Sequence, residues 1–174
     1  MKNLTLISKI FLTIALASGA LWLGSYTTKL FALYHLFELD QSNILVLKSN
    51  LTNVDLKPVL FELLPVLSLS LVSYLVFLAF SIMFLLLSKI SLKNNGWLFI
   101  SLMIVIICLP FEIILSIKDF KIINMILSNS DNVNEMIEII KSRITIFSSF
   151  PIVSLILHHS IFFLFVFKPL TRKS

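Results

Sequence analysis

Hydrophobic residues in this chain fall into four long blocks, at about 10–28, 59–87, 97–117 and 144–167, separated by short polar stretches. A helix needs roughly 20 apolar residues to cross a bilayer. The backbone in lipid must satisfy its own hydrogen bonds, so each block predicts a helix. The first block (IFLTIALASGALWLGSYTT) extends its helical pattern to about residue 37. The second is long enough to tilt or to project beyond the lipid. The pattern predicts an all-α polytopic membrane protein. Residues 1–174 form one membrane domain, a bundle of four transmembrane helices with loops at about 38–58 and 118–143.

Polar and small residues inside the blocks mark the faces expected to meet protein rather than lipid. In the first span these are Ala17, Ala20 and Gly24. In the second they are Glu62, Ser70, Ser73 and Ser81, and in the third Ser101, Cys108, Glu112 and Ser116. The fourth places Thr145, Ser148, Pro151, Ser154 and His158 on one stripe. Pro65, Pro110 and Pro151 each fall within a span and predict an interruption or kink. The segment SNSDNVNEMIEIIKSR predicts a short interfacial helix. Ser130 or Asp131 would cap it, and Met136, Ile139 and Ile140 would form its apolar face.

Composition supports the membrane reading: 58% of residues are hydrophobic and only 13% charged, too little polar surface for a soluble domain of this size. The net charge of +5 arises from scattered bases, which argues against a nucleic-acid groove. The bases report topology instead. Lys2 and Lys9, Lys89 and Lys93, and Lys168, Arg172 and Lys173 lie in three flanking segments that contain no acid. The positive-inside rule then puts both termini in the cytoplasm. The Ile-, Leu-, Lys-, Asn- and Phe-rich usage suits an AT-rich bacterium, hence a bacterial cytoplasmic membrane. There Asn50-Leu51-Thr52, a glycosylation sequon by pattern, carries no signal. Ser18-Gly19-Ala20 could end a cleaved leader, but the apolar run continues to Thr28, longer than a usual signal core. The single cysteine, Cys108, lies inside a span, so no intrachain disulfide and no cysteine metal site are expected.

Ionisable groups in lipid are costly and often functional. Counting at about 1.5 Å per residue puts Glu112, Glu62, Lys29 and Arg143 in one layer of the outer leaflet. Two readings follow. The layer is a polar pocket open to the outside that holds a cation, a proton or a lipid headgroup, or it is a Glu–Lys or Glu–Arg pairing that fixes helix register. His158 continues the polar stripe of the fourth span, whereas its neighbour His159 points about 100° away. His35 lies roughly 20 Å from that depth by helical rise, so a haem held by two histidines of this chain is not expected. A haem or quinone shared with a partner at His158 stays open. His35 with Glu38 and Asp40 forms a small acid–base cluster at the outer surface. No phosphate loop, zinc-protease motif or serine elbow is present, and no catalytic residue, metal or cofactor is expected.

The layout is a short first outer loop, a very short inner loop, a second outer loop and inward termini. It resembles tetraspanins and claudins in topology, although those families place cysteines in their outer loops. The expected function is a non-catalytic accessory or structural subunit of a membrane complex, with a membrane-protein partner or a second copy of itself. Binding or transport at Glu112 and a redox anchor at His158 are the alternatives.

Overall fold

The computed structural model describes residues 4–51, 55–88 and 90–171. Lys2, Lys89, Thr52, Arg172 and Lys173, used above for topology or the sequon, lie outside them. The chain is mostly helical. Helix α1 (Leu6–His35) leads to a hairpin of β1 (Phe37–Leu39) and β2 (Leu45–Leu47). Then come α2 (Leu56–Glu62), α3 (Leu64–Ser88), α4 (Gly96–Leu127), α5 (Val133–Thr145) and α6 (Phe150–Phe167). Four helical stretches are long and apolar enough to cross a membrane: α1, the joined α2–α3, α4 and α6, of 30, 33, 32 and 18 residues. Their outward faces carry large apolar side chains, such as Leu86, Phe163 and Val166 at 76%, 65% and 70% exposure. Lipid satisfies such a surface, whereas water would not.

Several boundaries differ from the sequence reading, each for a local reason. The all-α expectation omits the hairpin, in which Phe37 pairs with Leu47 and Leu39 with Leu45. The Asp40 carboxylate closes its turn by accepting from the Ser42 and Ile44 backbone N–H groups at 2.8 and 2.9 Å, and Asn43 takes the left-handed conformation that asparagine tolerates. Pro65 is the second residue of α3 and Pro151 the second of α6. Proline suits a first helical turn, whose N–H groups lack intrahelical partners, so Pro151 starts its helix, while Pro65 follows the break at Leu63 that interrupts the joined α2–α3 stretch. Pro110 lies inside α4 as expected.

The fourth span begins at Phe150, not near residue 144. Ile144 belongs to α5, and residues 146–149 form a turn in which Ser148 is left-handed. Thr145 and Ser148 are exposed and leave the predicted stripe. The third span does not end near residue 117, since α4 runs on to Leu127 and absorbs the start of the predicted outer loop. The α5 cap is Asn132, which accepts from the Glu135 N–H and donates to the Glu135 carboxylate at 2.9 Å. This reciprocal pair satisfies orphan polar groups at the helix start.

On α1 the predicted small-residue face is the wrong one. Ala17, Ala20 and Gly24 are exposed, while Ala15, Ser18, Gly19, Trp22, Tyr26, Lys29 and Leu33 are buried. Close approach occurs at Gly19, where an added Cβ would meet the Phe77 ring at 3.0 Å.

The core has three apolar clusters stacked along the helices. One joins α1, the hairpin, α2, the end of α4 and α5 through Leu33, Leu60, Ile122, Met136 and Ile140. The middle cluster centres on Trp22, Tyr26 and Tyr74. The third gathers the start of α1, the end of α3, the start of α4 and the end of α6 around Phe84, Trp97 and Leu98. Both ends of the described chain therefore meet at one end of the helices. There the Gly96 N–H donates to the Leu170 carbonyl at 3.2 Å, and a Cβ at Gly96 would lie 2.8 Å from that of Leu170. Only glycine permits this approach without displacement.

Candidate functional site

Between the first and middle clusters lies a layer of buried charge. Helix α4 supplies two of its members from one seam. Cys108, Glu112, Leu115, Asp119, Ile122 and Ile126 recur at alternating spacings of four and three and are all buried. That spacing keeps one face of a helix toward its neighbours. Helix α1 supplies Lys29 and Tyr26, and α5 supplies Arg143.

Asp119 is the hub. It accepts from Lys29 Nζ at 2.7 Å and from Arg143 through Nε and, at 3.3 Å, through Nη2. Lys29 Nζ also donates to the Ser70 hydroxyl of α3 at 2.8 Å. The Tyr26 ring lies 4.6 Å from Lys29 Nζ and 5.7 Å from Arg143 Cζ, within reach of cation–π attraction. About 10 Å along α4, two turns earlier by helical rise, Glu112 Oε1 accepts from the Ser154 hydroxyl at 2.6 Å and the Tyr26 hydroxyl at 3.3 Å. The layer thus ties α1, α3, α4, α5 and α6 together. Exposure is 2% for Lys29, Glu112 and Asp119 and 0% for Arg143.

The structure brings three of the four predicted pocket residues, Lys29, Glu112 and Arg143, into this layer. Glu62 is absent from it, exposed at the end of α2. The cations pair with Asp119 rather than with Glu112. The layer is also buried rather than open, and the neighbouring cluster around Leu33, Ile122 and Ile140 takes in the apolar face of α5. Sequence reasoning missed Asp119 by placing it in a loop. Its signal was the unbroken four–three spacing of α4 past Ile117.

His158 lies next to Glu112 through Ser154. Its Nδ1 is 2.8 Å from the Ser154 carbonyl, which can only accept, so Nδ1 carries the proton and Nε2 the lone pair. Nε2 finds no hydrogen-bond partner among the described residues. The ring stands edge-on to Trp22 at 4.7 Å between centroids. His159 is exposed and holds the Leu155 carbonyl at 2.8 Å. His35 is exposed at the end of α1, while Glu38 lies on β1 and accepts from the Ser49 N–H at 3.0 Å. Among the described residues no three His, Cys, Asp or Glu side chains are placed to hold a metal ion.

These helices point to the class of multi-pass membrane proteins. No protein-family model, curated protein or solved structure matches the chain.

Proposed function

We propose that the chain is a small structural or accessory subunit of a bacterial cytoplasmic membrane complex, a four-span bundle with both termini in the cytoplasm. The observation that carries this reading is the closure of the charge layer. The side chains best suited to bind an ion are engaged with one another and sealed by apolar packing. A buried, mutually paired ion cluster contributes little net stability but penalises wrong helix registers heavily. That property suits a scaffold. Purification of the tagged full-length protein from native membranes in mild detergent, with mass spectrometry, tests the proposal. A stoichiometric membrane-protein partner, or a defined homo-oligomer, is expected. Recovery as a lone, monodisperse monomer would contradict it.

A second reading is proton or cation passage by way of Glu112. It takes support from the chain Glu112–Ser154–His158 and from His158 Nε2 and the Tyr74 hydroxyl, which have no hydrogen-bond partner among the described residues. Proteoliposome flux abolished by Glu112→Gln would favour this reading over the scaffold. A redox anchor draws on the same Nε2, and a haem absorption band in the purified complex, lost in His158→Leu, would favour it.

A further inference from the structure

At the opposite end of the helices from α5 lies a cavity of about 310 Å³ between α1, α3, α4 and α6. This is at the lower bound of the roughly 300–1,000 Å³ that small-molecule pockets occupy. Its walls are almost wholly apolar. Ile82 of α3 and Ile106 of α4 line it yet are 56% and 50% exposed, so its mouth opens sideways between these two helices, toward lipid.

Two features single it out from ordinary lipid-facing surface. The first is Trp97, a lining residue only 3% exposed, whose indole N–H has no acceptor among the described residues. A buried donor without an acceptor is unfavourable. The second is charge. Lys93 is exposed on the short connection between α3 and α4, at the same end of the helices as Trp97. Lys168 Nζ lies 5.6 Å from the Phe165 ring, which lines the cavity and packs edge-on against Trp97. Lys9 is exposed at the start of α1, at the same end.

We infer that this cavity takes one acyl chain of an anionic phospholipid, with the phosphate held by Lys93 and Lys168. An apolar slot beneath basic residues matches such a lipid in both parts, since basic pockets between membrane helices attract anionic headgroups. A zwitterionic lipid would gain the slot but little from the lysines.

The test uses the full-length, delipidated protein in detergent, titrated with phosphatidylglycerol or phosphatidylcholine carrying brominated chains. Tryptophan quenching and native mass spectrometry are the readouts. Quenching by brominated phosphatidylglycerol should saturate at one lipid per chain, at concentrations about tenfold or more below those phosphatidylcholine needs. Lys93→Glu with Lys168→Glu should erase that preference. Val105→Trp, which narrows the slot, should abolish the stoichiometric complex. Equal quenching by the two lipids, or a preference that survives the double lysine variant, would overturn the proposal. Should Val105→Trp fail to fold, the wild-type comparison of the two lipids decides alone.

Discussion

The two ends of the helix assembly bury opposite things. Toward the α5 end, Lys29, Asp119 and Arg143 are paired with almost no exposure, and Glu112 is buried against Ser154 and Tyr26, next to an apolar cluster. At the other end the helices leave a slot lined by Leu, Ile and Phe, with a lone indole donor in its wall. The charge layer is buried, whereas the apolar slot opens at its side. Within a membrane this is a sensible division. Charges must find partners inside the protein because lipid offers none, whereas an apolar gap can be filled by the solvent itself.

The largest effect should come from removing the hub of the closed end. Asp119→Ala leaves Lys29 and Arg143 buried without an anion, and breaking a buried pair typically costs about 3–5 kcal/mol. Equilibrium unfolding in mixed micelles should show a loss of that order. A smaller loss is expected of Arg143→Met, about 2 kcal/mol, the range for a hydrogen bond to a charged group, because Lys29 still neutralises Asp119. Its signature is local. Amide exchange should rise in α5, which would keep Lys118–Ser142 and the exposed Lys121–Glu135 pair as polar ties to α4 among the described residues, and stay unchanged in α3 and α6.

Glu112→Gln should cost less still, under about 1 kcal/mol. The amide oxygen can accept from Ser154 and Tyr26 as the carboxylate does. A large loss there would move the centre of the layer from Asp119 to Glu112.

The smallest effects belong to the exposed acids outside the helices. Hydrogen bonds from Ile44 N–H and from Ser42 hold the Asp40 carboxyl below its ordinary value of 3.8. The hydrogen bond and charge of Lys57 do the same for Asp131. A carboxyl depressed in the folded state contributes order above its ordinary value and loses it as pH falls through the lower folded value. Exchange at Ile44 should therefore increase only below pH 3.8. A midpoint above that value would contradict the turn geometry.

Much of this was legible in the sequence, and the gaps have physical causes. Block length located all four apolar helices, because bilayer thickness is a strong constraint. Helical rise brought Lys29, Glu112 and Arg143 to one level from residues 114 positions apart. Asp119 was hidden because Lys118-Asp119 marks the point where hydropathy falls, while the helix and its buried seam continue. Hydropathy reports where lipid ends, not where packing ends. The α1 face was misread because small residues suggest close backbone contact, whereas α1 buries Trp22, Tyr26 and Lys29. The break at residues 146–149 was obscured because Ile146, Phe147 and Phe150 keep the stretch apolar across a turn.

The central claim is that the charge layer pins the helices and is not a port. Its most direct test compares Asp119→Ala with the triple variant Lys29→Met, Asp119→Leu, Arg143→Met in the same unfolding assay. Apolar side chains of similar volume can replace a buried ion cluster with little loss. The triple variant should thus recover to within about 1 kcal/mol of the wild type, while the single variant stays several kcal/mol below it. A single variant as stable as the wild type, or a triple variant no better than the single, would contradict the account.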